Sequence, residues 1–311
     1  MTADALTLDK PDPAEPSGGG RVPPGSNRPT GRGRGRRRRI SISTVVLFAV
    51  TAVLAAFWLL PLAWAVLTSF KPEGETTAIP LQWFPTEWTL DAYRSVIGNS
   101  DIGLWMFNSI VTAVITTILV VLVSSMAAYG FARTTFPGRR ILLALTIIGI
   151  MVPPQVLIVP LFAEMVALGL VDTYWGIILP QVVAPAMVFI LVKFFQALPT
   201  ELEEAAHMDG ASRWRIYWQI VMPLSRPVLA AVSIFTFIST WNNFLWPFIV
   251  TTDPNAMTLP VGLVAVQGGY GLRFAEIMAA AVLAALPLLI IFVLFQRQVV
   301  RGIAHTGLSG Q

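Results

Sequence analysis

The sequence predicts an all-α integral membrane protein with six transmembrane helices. Of its 311 residues, 55% are apolar and only 12% are charged, and the mean hydropathy is +0.69. Soluble domains carry about 25% charged residues, so this shortage of charge favours a chain embedded in lipid. Six uncharged runs are each long enough for a helix across a hydrocarbon core of roughly 30 Å. They are residues 44–67, 102–132, 141–163, 173–192, 227–252 and 277–296.

Residues 1–39 precede the first run and are rich in proline, glycine and arginine. They carry almost no large apolar side chains and cannot bury a core, so we expect a disordered cytoplasmic tail. The arginines between positions 32 and 39 fit either nucleic-acid binding or a topology anchor directly before a span. We favour the anchor, which faces the cytoplasm and its anionic lipids, and expect no nucleic-acid partner.

The loops predict the orientation of the spans. An even number of spans puts both termini on one side, and the arginine cluster makes that side the cytoplasm. The resulting division is a first helix with an external loop (40–106), a transmembrane core (107–296) and a cytoplasmic C-terminal tail (297–311). Basic residues are concentrated in the predicted inner loops, at Arg133, Arg139, Arg140, Lys193, Arg213, Arg215, Arg226, Arg297 and Arg301, and the outer loops carry Lys71, Arg94 and Arg273.

Two further features concern the membrane boundary and the spans themselves. Trp83, Trp88 and Trp105 suit an interfacial belt, and packing within the external loop explains them equally well. Prolines interrupt the third to sixth runs, which lipid tolerates only where neighbours or a cavity satisfy the freed backbone groups. A transport path and simple kinked packing both fit these prolines.

Several kinds of chemistry are excluded or disfavoured. The chain has no cysteine, and its two histidines, His207 and His305, are far apart, so we expect no catalytic residues and no metal site. None of its three lysines follows a phosphate-binding loop, so the chain is not itself an ATPase and binds no cofactor. An ion-coupled secondary transporter remains the alternative function, although such carriers usually keep ionisable residues within spans, and these runs have none.

A charged insert, residues 197–225, separates the fourth and fifth runs. Thr200 and Glu203 have the spacing of a capping box at the start of a helix. Leu202, Ala205 and Ala206 share one face of that helix, which another surface can approach closely.

Glycine readily takes the left-handed conformation that ends a helix, so Gly210 predicts its end. Ser212 can cap a second helix that ends at Pro223. The apolar face of this second helix would consist of Trp214, Tyr217, Trp218 and Val221. The insert is therefore either an amphipathic connector lying on lipid or a docking element for a partner.

The insert resembles the EAA loop of ABC importer permeases. Glu204, Ala205, Ala206 and Gly210 stand at the spacing of that motif, followed by Ile220 and Pro223; the one departure is Met222 in place of leucine. From about residue 41 onward the chain is similar to carbohydrate-importer permeases related to the MalG subunit of the maltose system. The other matching segments are 69–72, 88–93, 136–140, 153–155, 241–247 and 295–297.

The resemblance implies a type I ABC importer permease architecture in a bacterial cell membrane. It implies a second, MalF-like permease subunit, two ATP-binding subunits that use ATP, and an extracellular solute-binding protein. The helix of the EAA loop would be the coupling helix that seats on an ATPase subunit. The residues that it assigns to this coupling are Glu204, Ala205, Ala206, Asp209, Gly210, Ile220 and Pro223.

The solute is expected to be a sugar or oligosaccharide, although polyols and glycerol phosphates also fall within the wider family. Asn242 and Asn243 are the most polar pair within a predicted run. Their amides could bind sugar hydroxyls in the substrate path, since each offers donors and an acceptor. We favour the alternative for each residue, which is a hydrogen bond between helices.

Overall fold

A computed structural model describes residues 42–269 and 273–307, and within those ranges it contains helices and turns and no strand. The predicted disordered tail and its arginine cluster lie outside the described residues. The α-helices are α1 Ile42–Ser69, α2 Glu73–Thr76, α3 Asp91–Asn99, α4 Ile102–Arg133, α5 Arg139–Ile150, α6 Ile158–Ala167, α7 Tyr174–Val182, α8 Pro185–Gln196, α9 Glu201–Met208, α10 Arg213–Ile216, α11 Met222–Leu224, α12 Arg226–Trp241, α13 Leu245–Val250, α14 Leu259–Gly269 and α15 Phe274–Gly307.

The chain divides into two compact units at Val53. The described part of the first unit is the beginning of α1, whose side chains are exposed. The second unit starts at Leu54 and contains every contact described below.

Three helices are long and apolar enough to cross a membrane without a break: Ser43–Ser69, Ile102–Arg133 and Phe274–Phe295. They coincide with the first, second and sixth predicted runs. Helices α5 and α6 are bent by 98° and α7 and α8 by 45°, so the third and fourth runs are broken helices. The described residues provide up to six spans if each bent pair counts as one, and the number six stays a prediction.

The fifth predicted run is not one continuous helix. Helix α12 ends at Trp241 and α13 begins at Leu245, which leaves a break at residues 242–244. The bent pair that passes the length and hydropathy test joins Arg213–Leu224 to α12 at 78°, so it includes part of the insert.

Only some of the prolines break their helices. Pro153 lies between α5 and the 3-10 turn Pro154–Leu157, and Pro185 begins α8, where its missing N–H has no intrahelical acceptor in any case. Pro180 and Pro287 lie inside α7 and α15, which continue past them. These positions leave the choice between a transport path and kinked packing open.

Helix α4 is the central element of the second unit and packs against α7, α8 and α12. Small side chains on its buried faces let the neighbouring helices approach closely, and hydroxyls among them can bond to backbone carbonyls. Its fully or almost fully buried polar residues are Asn108, Ser109, Thr112, Thr116, Ser124 and Ser125.

The first turns of α4 hold the segment before α14. The Trp105 indole N–H donates to the Pro254 carbonyl at 2.9 Å, and the Asn108 amide donates to the carbonyls of Asn255 and Met257, each at 2.8 Å. The interfacial-belt interpretation is therefore wrong for Trp105, which is 5% exposed. Trp83 and Trp88 are exposed, as a belt requires.

Loops at this same end of the second unit are joined by hydrogen bonds. The Asp172 carboxylate accepts hydrogen bonds from the Asp253 amide at 2.8 Å and from the amide and hydroxyl of Thr252. Burial raises the pKa of the Asp172 carboxyl, but these hydrogen bonds outweigh it, and the pKa lies below its ordinary value. The Glu73 carboxylate accepts from the Ala275 amide at 3.1 Å and so caps the first turn of α15.

We expect Gly262→Ala to destabilise the protein, because an added Cβ would lie 2.1 Å from the Trp105 ring. Trp105 is held by its bond to Pro254 and cannot move away without losing it. Overpacking of this kind costs about 1–3 kcal/mol, which should lower the thermal unfolding midpoint in lipid nanodiscs by several degrees. Gly103→Ala is the matched control, since nothing lies within 4 Å of its added Cβ. Equal midpoints for the two variants would contradict the close contact.

We expect Asp172→Asn to lower the unfolding midpoint at neutral pH by about 2 °C, because the neutral amide accepts hydrogen bonds more weakly than the carboxylate. The folded pKa is depressed, so the stabilisation is full above the unfolded value of about 3.9 and is lost as the pH falls through the folded pKa. Unfolding midpoints of variant and wild type, measured across this range, should converge at acid pH. A difference that is independent of pH would contradict this assignment.

Candidate functional site

The first helix of the insert, α9, does not begin with a capping box. Thr200 makes no side-chain cap hydrogen bond, and its carbonyl accepts from the amides of Glu203 and Glu204, both at 3.0 Å. The Glu203 carboxylate instead lies 3.1 Å from Arg133 Nε. That prediction is wrong because a largely buried guanidinium is a stronger partner for this carboxylate than an amide at the start of its own helix.

The end of α9 matches the prediction. Gly210 has φ of 78°, in the left-handed region that favours glycine. Its amide donates to the His207 carbonyl at 3.0 Å, and the Ala211 amide donates to the Ala206 carbonyl at 2.9 Å. This pair of bonds is a Schellman motif, which satisfies carbonyls at the helix end and sets the angle of the turn.

The predicted small-residue face of α9 is divided between two environments. Ala206 is partly buried and packs against the core formed by α4, α8 and the second half of the insert. Leu202 and Ala205 are exposed, and Met208 is 88% exposed. The surface that α9 offers to another molecule is therefore larger than the predicted three residues and consists of Glu201, Leu202, Glu204, Ala205, His207 and Met208.

The second half of the insert begins as predicted, because the Ser212 hydroxyl accepts from the Arg215 amide at 3.3 Å. A π-helical turn, Tyr217–Val221, then follows α10. It departs from the 3.6-residue period on which the predicted apolar face depended. Tyr217 and Val221 are buried as predicted, but Trp214 and Trp218 are exposed, and Ile216 takes their place in the core.

The remaining predicted coupling residues lie at the ends of these elements. Asp209 is the exposed C-cap residue of α9, and Ile220 is partly buried against the same core as Ala206. Pro223 is exposed and lies inside α11, so the helix ends one residue later than predicted, at Leu224.

Three polar side chains of α4 contact the insert, and the sequence analysis did not predict these contacts. Ser125 Oγ and Tyr217 Oη share a hydrogen bond of 2.7 Å, and the Tyr129 hydroxyl donates to the Arg213 carbonyl at 3.4 Å. Arg133 Nη2 donates to the carbonyls of Phe195 and Leu198, both at 2.5 Å, beside the ion pair with Glu203. They stand four residues apart, and this spacing, which places side chains on one face of a helix, could have indicated a shared contact.

Asn242 and Asn243 lie at the break between α12 and α13 rather than within a continuous span. Asn243 Nδ2 donates to Gln181 Oε1 at 2.9 Å, a hydrogen bond to α7 of the kind that we favoured for this residue. Asn242 is exposed, and its amide donates to the Ile238 carbonyl of its own helix at 2.8 Å. Asn242 also lines an open cleft of about 350 Å³ with Trp241, Leu259, Pro260, Leu263, Ala281, Ala284, Ala285 and Leu288.

The described part of the chain contains no candidate metal site. No group of three or more His, Cys, Asp or Glu side chains could hold an ion there. The candidate site thus consists of the turn after α9, the polar contacts of the insert with α4, and a mostly apolar cleft beside Asn242.

The chain is similar to known transport proteins. Residues 121–305 match the family described as "Binding-protein-dependent transport system inner membrane component". The arabinooligosaccharides transport system permease protein AraQ of Bacillus subtilis (strain 168) is 35% identical over 275 residues, which cover 88% of this chain and 98% of that protein. The trehalose/maltose transport system permease protein MalG of Thermococcus litoralis is 33% identical over 87% of this chain and 98% of that protein.

A solved structure has the same fold. A chain of a bacterial ABC transporter involved in the import of the acidic polysaccharide alginate superposes with a TM-score of 0.75 and covers 84% of this chain and 97% of its own length. Its sequence identity is 21%, so this likeness concerns the fold alone. The all-α prediction and the type I permease architecture are confirmed by these matches.

Proposed function

This chain belongs to the family of binding-protein-dependent transport system inner membrane components, and we propose that it imports oligosaccharides or related sugars as the permease subunit of an ATP-driven transporter. The observation that carries the proposal is the match to named sugar permeases over almost their whole length. The diacetylchitobiose uptake system permease protein NgcG of Streptomyces coelicolor is 34% identical over 83% of this chain, and its name also points to a sugar. The ion-coupled alternative finds no support among these relatives.

The protein is a multi-pass membrane protein, and we place both of its termini in the cytoplasm. The basic residues of the predicted inner loops support this orientation. The pattern of contacts is compatible with it, since Asp172 bonds to Thr252 across two predicted outer loops. At the other end, Arg133 donates a hydrogen bond to the Leu198 carbonyl and forms an ion pair with Glu203 across two predicted inner loops.

The insert is proposed to dock on one of two ATP-binding subunits. Those subunits would supply the ATPase activity, since this chain has no phosphate-binding loop of its own. Helix α9 offers exposed Leu202, Ala205 and Met208 beside Glu204. Apolar side chains beside exposed carboxylates suit a cleft with a basic group in the partner, because a charge-assisted bond adds orientation to apolar burial. The other proposed partners are a second, MalF-like permease subunit and an extracellular solute-binding protein.

The substrate path is proposed to run past Asn242. Asn242 is exposed at the edge of the cleft, and its amide is suited to bond to a sugar hydroxyl. Asn243 supports the path indirectly, because its bond to Gln181 ties the break after α12 to α7.

We expect Gly210→Val to uncouple uptake from ATP hydrolysis in the reconstituted importer. Valine in the left-handed region is strained by about 1–2 kcal/mol, so the turn after α9 should open and move the docking surface. Uptake of labelled oligosaccharides into proteoliposomes should fall about tenfold or more while the complex still assembles. Hydrolysis of ATP, measured in the same vesicles, should continue.

Gly169→Val is the matched control for this experiment. Gly169 has φ of 66° and open space around its added Cβ, as Gly210 has, but it lies between α6 and α7 at the opposite end of the second unit. It should therefore lose similar stability and keep its transport per ATP. Full coupled uptake by the Gly210 variant would refute the docking role of the insert.

We expect a protease-sensitive tag at the C-terminus to be protected in intact cells and cleaved after lysis. A tag inserted at Glu87, an exposed residue of the predicted external loop, should be cleaved from outside in the same cells. Immunoblots of both fusions measure the result. Cleavage of the C-terminal tag in intact cells would overturn the proposed orientation.

A further inference from the structure

We propose that α4 is the element that receives the movement of the insert, through a polar ladder formed by Ser125, Tyr129 and Arg133, and that Arg133 is its main positioning residue. The inference rests on the proposed coupling function of the insert. It adds a specific mechanical connection within this chain, from the docking surface to one helix.

The ladder is a geometric consequence of spacing. Residues four apart on a helix lie on one face, so Ser125, Tyr129 and Arg133 form a row about 12 Å long. Each member contacts a different part of the insert: Ser125 bonds to Tyr217, Tyr129 to the Arg213 carbonyl, and Arg133 pairs with Glu203. The rings of Tyr129 and Tyr217 also lie 5.3 Å apart. Both helical halves of the insert are thus held on the same face of α4.

Arg133 joins three elements at one point. Its side chain is only 7% exposed, and that of Glu203 is 13% exposed. Its Nη2 also donates to the carbonyls of Phe195 in the last turn of α8 and of Leu198 just beyond it, where the helix dipole favours a cation. A planar guanidinium can make these bonds simultaneously, whereas a lysine ammonium is a single point charge. Because the pair is largely shielded from water, salt should screen it little.

The opposite end of α4 is also held by side-chain bonds. Trp105 and Asn108 bind the carbonyls of residues 254–257, and the Ser109 hydroxyl accepts from the Leu259 amide at 2.8 Å, at the start of α14. Helix α4 contains no proline, whereas α1 and α15 each contain one. An unbroken helix of 32 residues, about 48 Å long, therefore carries both sets of bonds. Movement of the insert would reach the segment before α14 through one rigid body.

The test uses the complete importer, assembled with its ATP-binding subunits and reconstituted in proteoliposomes. Oligosaccharide uptake and ATP hydrolysis are measured in the same vesicles for Arg133→Gln, Glu203→Gln and the double variant. We expect each single change to lower transport per ATP roughly tenfold, a size compatible with the coupling of an interacting pair. The double variant should be no worse than the worse single one. Arg140→Gln, which removes an exposed charge from the first turn of α5, should match the wild type.

A conservative variant separates positioning from simple support of the fold. Arg133→Lys keeps a cation near Glu203 but has one nitrogen in place of the separate Nε and Nη2 that face Glu203 and the two carbonyls, so it should recover part of the transport per ATP. A merely structural role would instead reduce the amount of assembled complex and lower uptake and hydrolysis in proportion. Hydrogen exchange at the amides of residues 203–210 gives a readout independent of activity and should accelerate in Arg133→Gln.

Assembled Arg133→Gln importer with wild-type transport per ATP and unchanged exchange would overturn the inference. If that variant does not assemble, Tyr129→Phe and Ser125→Ala remove single hydroxyls from the same ladder. Each should then lower transport per ATP about two- to threefold, and full coupling in both would overturn the inference equally. The Gly210→Val variant tests the proposed function independently of the ladder. If Gly210→Val uncouples uptake and Arg133→Gln does not, the insert has its coupling role and the ladder does not.

Discussion

Several breaks between the described helices leave backbone groups that must be satisfied where water is scarce, and the structure depends on how that is done. In an apolar body an unpaired carbonyl or amide costs several kcal/mol, so irregular backbone persists only beside a suitable donor or acceptor. Asn108 supplies the donor for residues 255 and 257, and Arg133 supplies it for Phe195 and Leu198. The broken elements are consequently arranged around α4, the helix that carries those side chains.

This arrangement has a functional consequence. The insert and the segment before α14 lie at opposite ends of one continuous helix, and both are attached to it by side-chain hydrogen bonds rather than by apolar packing alone. Directed bonds hold an element in one register, whereas apolar contacts permit sliding. In the proposed importer the energy would enter at the insert, far from the proposed solute path, and such a connection would link the two.

The parts of the fold that the sequence predicted are those controlled by local chemistry. The end of α9 depends on Gly210 and the start of α10 on Ser212, and in both cases the residue type and its neighbours were sufficient. Thr200 and Trp105 were misread because their surroundings are non-local. Glu203 pairs with a residue 70 positions earlier in the chain, and Trp105 bonds to a carbonyl 149 positions later. Propensity and spacing contain no information about such partners.

The sequence by itself determined the membrane setting, the positions of the long apolar helices and the helix–turn–helix character of the insert, because composition, periodicity and capping act over a few turns. Its EAA-type spacing also identified the family before any geometry was known. Only the tertiary structure decided where the helices break, which face of the insert is free and which side chains hold it. Those outcomes depend on which polar groups meet after packing, and the π turn at Tyr217–Val221 shows how packing can override the period of a helix.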